Sequence, residues 1–409
     1  MTEVIPQIIN IAPNWAGVAG NIQKVESLTL AKKEALKRLL QAEKMGGTFA
    51  AERDRYIDDL CAFDLSLNNI IGSILEERIS SQALYQADLP TVFERDEVKE
   101  EAELQAMNRN GYVISALRLS QDQQKAVLDD IAKCSFVNRG IFPIELSGTK
   151  LIHAIGDKSI SKYIGVNGDT FWVKDLDQLA HQEHLRKLAF DPYFLSIAGA
   201  YLGCVPIHVQ TNAWFSFPTF NEKNNLSTNA QMFHQDKEFA KFFKVFIYLT
   251  DVTEDNGPHV FIEGSHIDEA HTLGVPITDR IPDLEITKYY AAERIKTLLG
   301  PAGTITFADT SGVHKGLTVR SGYRIMLQLE YASSLYLSPV APFSTPVHAV
   351  PELAVYPEAL RARVMANYSD VERQAYADRV AGQTSAEYSG LRKMLQLIKR
   401  YLRGHKAGI

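Results

Sequence analysis

Between residues about 195 and 335 the chain is cut into short alternating segments, and this period of two constrains the fold more than any other feature. The stretches 205–217, 231–236, 243–250, 258–262, 303–307 and 324–332 are separated by Gly, Pro and Asn turns. Residues two apart on a strand share a face, so each segment has one side to bury and needs a second sheet to cover it. That texture belongs to an all-β sandwich or barrel. In 324–332, Arg324, Met326, Gln328 and Glu330 fall on one face, and Ile325, Leu327, Leu329 and Tyr331 on the other. Lys244 aligns in the same way with Phe246 and Tyr248.

The flanks have a different period. Residues 22–44 repeat Ile22, Val25, Leu28, Leu36, Leu39 and Leu40 among charges, which is helical spacing. Two further helical stretches follow near 49–62 and 65–80. Pro90 and the acidic segment 95–104 mark a change of region. A β-like run, Tyr112 to Leu117, then leads to a helix that Ser120 caps, with Gln123 at the capping-box position. Residues 346–409 return to helix and end in a stripe of Leu391, Met394, Leu395, Ile398 and Leu402 beside five basic residues. A basic amphipathic helix can lie on a membrane, but docking its stripe on its own protein is the expected arrangement here. The expected division is a helical N-terminal region (1–105), a β domain (106–345) and a C-terminal helical region packed on that domain (346–409). For residues 1–105 three roles are open: a lid, a dimerisation element joining two copies, or a partner-docking module.

Several classes of function are excluded at this level. A net charge of −6 and a pI near 6.0 give no electrostatic footprint for nucleic acid. No run approaches the roughly 18 apolar residues of a membrane span. The N-terminus lacks a basic segment followed by a continuous apolar core, so no signal peptide is read there. Cys61, Cys134 and Cys204 are odd in number, widely spaced and free of any C-x-x-C pattern. They are expected to be buried small hydrophobes in a reducing cytoplasm rather than disulfides or zinc ligands.

The chemistry-bearing constellation is His234-Gln235-Asp236. On a strand, His234 and Asp236 project together while Gln235 turns away. One later histidine would complete two imidazoles and a carboxylate on one face of an octahedral ion, the donor set of non-haem Fe(II) oxygenases. By itself H-x-D discriminates poorly, because two polar residues at that spacing also decorate solvated turns. Downstream, "GTITFADTSGVHKG" (303–316) carries the lone His314, and Arg324 opens another strand ten residues later. The remaining histidines lack partners at ligand spacing. His153, His181, His184, His208 and His271 are read as surface or satisfied interior, and His259 and His266 as flanking a turn-and-strand segment.

Taken together, "HQD" (234–236), "KVFIYLTDVTEDNGPHVFIEGSH" (244–266), "GTITFADTSGVHKG" (303–316) and Arg324 make the sequence similar to the phytanoyl-CoA dioxygenase family of Fe(II)- and 2-oxoglutarate-dependent oxygenases. The start "NGYVISALRLSQDQ" resembles that family's opening as well, so the likeness covers about 111–335. The resemblance implies an α+β chain with a double-stranded β-helix (jelly-roll) core between helical ends. It implies His234, Asp236 and His314 as iron ligands, with dioxygen and 2-oxoglutarate filling the open positions. Arg324 becomes the clamp on the distal carboxylate, which a guanidinium fork matches bidentately. His266, in the family's Gly-Ser-His, is expected to brace a loop near the site.

Some positions depart from the family pattern. The Lys-Pro pair expected before the H-x-D is Phe217-Pro218. A second cosubstrate contact would fall to Lys244, which on alternation alone could equally meet solvent. Asn212 and Trp214 stand where they would line the pocket, with core or edge packing as the plain alternative. Gly316 replaces the Ser or Thr that some cosubstrate-clamping relatives carry two residues after the distal histidine.

The expected function is a 2-oxoglutarate-dependent dioxygenase that hydroxylates a small-molecule metabolite or natural-product intermediate, releasing succinate and CO2. Asp236 argues for hydroxylation, since halogenating relatives replace that carboxylate with a small residue. Desaturation, cyclisation and epimerisation use the same ligand set. A non-catalytic jelly-roll binding module has no need of all four residues, and a cupin-type isomerase leaves Arg324 unexplained. The face of Met326, Gln328 and Glu330 hints at a substrate with polar groups, with exposure to solvent as the plain alternative.

Overall fold

The computed structural model describes residues 80–368, apart from 87, 139–142, 165–168, 219–229, 237, 240, 267–279 and 334–349. The expected helices at 22–44 and 49–62, nearly all of that at 65–80, the C-terminal stripe, His271 and Cys61 lie outside the described residues.

Two antiparallel sheets carry the described residues. The strands are β1 (Tyr112–Arg118), β2 (Ser135–Asn138), β3 (Glu145–Ser147), β4 (Thr170–Val173), β5 (Ile207–Ser216), β6 (Phe242–Tyr248), β7 (His259–Ile262), β8 (Ile295–Leu298), β9 (Thr304–Ala308), β10 (His314–Gly316) and β11 (Arg324–Ala332). The large sheet runs β1-β9-β6-β11-β5-β4-β2-β3 and the small one β10-β7-β8. Isolated bridges from His234 to His314 and from Phe233 to Ile281 add the H-x-D segment to the edge of the small sheet. The strands expected from alternation are present with ends shifted by a residue or two, except that 231–236 pairs only through these bridges. β2, β3, β4 and β8 have three or four residues each, too few to display a period.

Alternation sorts the side chains as the pattern requires. On β6 and β11, Phe243, Val245, Ile247, Ile325, Leu327, Leu329 and Tyr331 join the main core on the outer face of the large sheet. Trp214, Phe246, Tyr248 and Met326 instead meet Phe261 and Leu298 of the small sheet, closing the space between the sheets. Each fully buried side chain of this size contributes about 1.5–3 kcal/mol relative to exposure.

Helices cover the outer face. α1 (Glu97–Asn110) starts on Asp96, whose carboxylate accepts from the backbone N–H groups of Val98 and Lys99. It stops at Gly111, whose φ of 80° is left-handed and whose N–H returns to the Met107 carbonyl. α2 (Gln121–Ala132) has both halves of the Ser120–Gln123 capping box. α3 (Glu183–Ala189) leads into α4 (Pro192–Leu202), capped by Asp191 and ended by Gly203 at φ 73°. α4 is buried on nearly every side against β6 and β9, so it presents no polar stripe for sequence reading to detect. Cys134 and Cys204 are buried among apolar side chains, as expected. Among the described residues, no helix is long and apolar enough to cross a membrane.

Candidate metal centre

One loop assembles the site. Residues 309–313, "DTSGV", link β9 to β10, and their carbonyls are shared out among the H-x-D segment and His314. Thr310 O accepts from the Asp236 N–H at 2.8 Å, and Ser311 O from the Gln235 side chain at 2.6 Å. Gly312 O lies 2.9 Å from His314 Nδ1. Asp309 stiffens the turn by accepting from Ser311 N and Oγ, and it accepts again from the Tyr201 hydroxyl of α4 at 2.5 Å. Its own N–H donates to Gly111 O. Ser265 of the Gly-Ser-His segment accepts from Val313 N at 2.7 Å, and His266 Nε2 sits 3.3 Å from Asn108 O, bracing the end of α1.

The result is a convergent donor set. His234 and His314 exchange two backbone hydrogen bonds of 2.9 Å, and their rings stand 4.3 Å apart. Each Nδ1 lies 2.9 Å from a carbonyl two residues before it, Met232 O and Gly312 O. Donation there leaves each Nε2 with its lone pair facing Asp236, at 3.6 Å from Oδ1 and Oδ2 respectively. The three side chains bring their ligand atoms within 4.8 Å of one another, the one such group among the described residues. Fixing Nδ1 on a carbonyl sets the tautomer that a metal needs. Burial lowers the His234 and His314 pKa values, which keeps both rings neutral and able to bind an ion. The donor set and its spacing fit Fe(II).

Lys244 is enclosed by carboxylates. Its Nζ is 2.8 Å from Asp236 Oδ2, 2.7 Å from Glu238 Oε2 and 3.8 Å from Glu330 Oε1. Burial opposes the ammonium, but these three carboxylates outweigh it and hold its pKa well above the ordinary value. Asp236 is held well below the usual range: burial works against its charge, and Lys244 and the two histidines prevail. Glu330 is wholly buried, and burial together with Glu238 raises its pKa. Glu330 faces Lys244 directly across the β6–β11 ladder, which is why the cage forms.

Arg324 lies at the other end of β11 on the same interior face. It stands six positions from Glu330, about 20 Å along a strand, and its guanidinium reaches the end of β10, the strand that begins with His314. A Cβ placed on Gly316, two residues beyond His314, would stand 4.0 Å from Arg324 Nη2. The guanidinium donates to Gly257 O and, at 3.4 Å, to Ser216 Oγ. It makes no ion pair with any described residue, and its buried Nε has no partner among them. Burial pulls its pKa down to about 10. A desolvated cation with spare donors fits an incoming carboxylate.

Trp214 packs on Trp172 with ring centroids 4.9 Å apart and belongs to the cluster between the sheets. Asn212 stands opposite Gln328, with Oδ1 unpartnered among the described residues. Gln328 donates to Gln210 Oε1 at 3.0 Å. His208 is a satisfied interior residue between Tyr368 and Thr211. Two residues near the site were not expected there from the sequence: Glu238, in the Lys244 cage, and His259, which was read only as flanking a turn-and-strand segment. The latter projects between the sheets against Phe246 and His314, at ring distances of 5.0 and 5.3 Å. Its signal was available, since His259 and Phe261 are two apart on β7 and share the inner face.

The sequence profile of the family described as phytanoyl-CoA dioxygenase (PhyH) matches residues 107–325. No curated protein matches the sequence. Similar solved structures include AviO1 from Streptomyces viridochromogenes Tue57, at 16% identity over 58% of this chain and 96% of that one, TM-score 0.39. The α-ketoglutarate-dependent epimerase SnoN from nogalamycin biosynthesis matches at 18% identity over 58% and 84% of the two chains, TM-score 0.36. EctD from S. alaskensis with bound Fe matches at 15% identity over 62% and 89%, TM-score 0.38. With the profile spanning more than half of its length, the chain belongs to the phytanoyl-CoA dioxygenase family, and is an oxidoreductase whose cofactors are iron and 2-oxoglutarate.

Proposed function

We propose that this protein is an Fe(II)- and 2-oxoglutarate-dependent dioxygenase that hydroxylates a polar small molecule. Residues 106–345 are its catalytic domain, and the two facing sheets are a double-stranded β-helix in this reading. The observation that carries it is the pairing of two features on one interior surface. One is a carbonyl-oriented His234–Asp236–His314 set, and the other is a buried guanidinium without a counter-ion among the described residues.

Each residue then has a task. His234, Asp236 and His314 would hold iron by one face and leave the other open. Lys244 grips Asp236 Oδ2, which orients the carboxylate and leaves Oδ1 toward the ion. Arg324 would receive the distal carboxylate of 2-oxoglutarate. Bound iron supplies activation of dioxygen coupled to decarboxylation of the keto acid. The protein contributes position and exclusion of water, with Trp214, Phe246 and Met326 forming the apolar wall. Gln210, Asn212 and Gln328 present amides on the same interior face, which favours a substrate bearing hydroxyl, amide or amine groups. Retention of Asp236 favours hydroxylation over halogenation.

The test is an anaerobic titration with Fe(II) and 2-oxoglutarate. A weak visible charge-transfer band is expected in the wild type and none in His234→Ala. A wild-type protein that binds both without the band would refute the reading. A screen of polar metabolites for succinate release then identifies the substrate class.

A further inference from the structure

His259 is a buried imidazole whose Nε2 is given no task by the described residues. It is 6% exposed, and its Nε2 has no hydrogen-bond partner among the described residues. A buried polar atom left in that state costs free energy unless a ligand or water completes it. The ring is fixed on several sides: Phe246 at 5.0 Å, His314 at 5.3 Å and Phe261 at 6.2 Å. Its own backbone N–H approaches the Tyr248 hydroxyl at 3.5 Å. The ring is therefore held against the metal centre, yet it lacks the carboxylate contacts that His234 and His314 make.

The β7–β10 ladder adds a second observation. His259 is registered directly opposite Gly316. Gly316 contributes no side chain, and a Cβ built there would meet only Ala230 O at 3.9 Å and Arg324 Nη2 at 4.0 Å. The ladder thus offers an open position facing the guanidinium, with an imidazole on the adjoining strand whose Nε2 has no partner among the described residues. A neutral imidazole carries one N–H, and the His259 Nε2, with no partner among the described residues, is placed to donate.

We infer that His259 is a positioning residue for the cosubstrate, its Nε2–H donating to the distal carboxylate of 2-oxoglutarate beside Arg324. This inference rests on the oxygenase reading above and adds the second donor that Lys244, enclosed by Asp236, Glu238 and Glu330, does not supply. His259 and Gly316 act as a pair: the donor that position 316 lacks is provided from across the ladder.

The experiment uses the full-length chain loaded with Fe(II) under nitrogen. The charge-transfer band serves as the binding readout for 2-oxoglutarate and, separately, for pyruvate, a keto acid without a distal carboxylate. His259→Leu is expected to weaken 2-oxoglutarate binding about 10- to 100-fold, the range for a hydrogen bond to a charged group. Pyruvate and Fe(II) binding should stay unchanged. His259→Gln, which keeps a donor, should retain most of the affinity. Gly316→Ser, placed in the His259→Leu background, should recover part of it, because the space at 316 accepts a side chain. Equal 2-oxoglutarate affinity in wild type and His259→Leu overturns the inference. So does a parallel loss for pyruvate, which would put His259 at the metal end. A wild type that binds neither keto acid instead overturns the oxygenase reading, so the two failures are distinct.

Discussion

Replacing Arg324 by Met separates the cost of burying the guanidinium from its use as the proposed clamp. In the ligand-free protein the guanidinium is 7% exposed and has no counter-ion among the described residues. Its pKa falls from 12.5 to about 10, which at 1.36 kcal/mol per pKa unit places roughly 3 kcal/mol of desolvation on the folded state. Met occupies similar volume without that charge. It also strips Gly257 O of its donor, which takes back about 1 kcal/mol. The net is a variant more stable than wild type by about 2 kcal/mol. For domains of 150–250 residues that corresponds to a rise in Tm of roughly 4–8 °C. The order reverses with ligand. At 100 times Kd, 2-oxoglutarate should stabilise the metal-loaded wild type by about 2.7 kcal/mol and leave Arg324→Met nearly unmoved. Thermal melts with and without 2-oxoglutarate, on protein loaded with Mn(II), read both effects. A variant less stable than wild type before ligand, or one with an equal ligand-induced shift, refutes the reasoning.

Three other substitutions test separate parts of the structure. Burial raises the Asp191 carboxyl to about 6, against hydrogen bonds from Thr91, Val92 and Tyr193 and the charge of Arg95. Its protonated form is favoured in the folded state, so the stabilisation present below its ordinary value of 3.8 fades as pH rises through about 6. Asp191→Asn keeps a helix cap and should flatten stability against pH across that window in urea melts; an unchanged slope would show that another group titrates. Gly111→Ala forces φ +80° on a residue with a Cβ and drives that Cβ to 2.5 Å from His266 Nδ1. A loss of about 1–3 kcal/mol in denaturant unfolding is expected, and a neutral result would mean that the α1–β1 corner yields freely. Ser265→Ala orphans the buried Val313 N–H. It should cost about 1–3 kcal/mol and weaken Mn(II) binding at least tenfold by loosening His314, as followed by calorimetry.

Local periodicity carries the parts of this site that lie within one segment. The alternation of β6 and β11 puts Lys244 and Glu330 on the inner face, and the H-x-D spacing puts His234 beside Asp236 with Gln235 turned to Ser311. The Ser120 cap was readable for the same reason, since its one partner, Gln123, lies three residues on. What stayed illegible depends on register between distant strands. The Lys244 cage needs Glu330 opposite Lys244, and the Gly316 gap matters only because His259 is its ladder partner. Neither pairing is written in either segment alone. α4 was missed because a helix buried on nearly all sides has no polar face. Strands of three or four residues, such as β2 to β4, are shorter than the pattern that would reveal them.

The 309–313 loop does more than hold the candidate ligands in place. Asp309 is tied to Tyr201 in α4 and to Gly111 at the end of α1, while the next three carbonyls hold Asp236, Gln235 and His314. The loop is therefore a rivet through both layers, and a shift of α4 or α1 is transmitted to the ligand atoms as a change in their spacing. Metal affinity should then act as a gauge of how the helices seat on the sheet. Substitutions at Tyr201, remote from any ligand in sequence, would register first as weakened metal binding and only afterwards as lost fold.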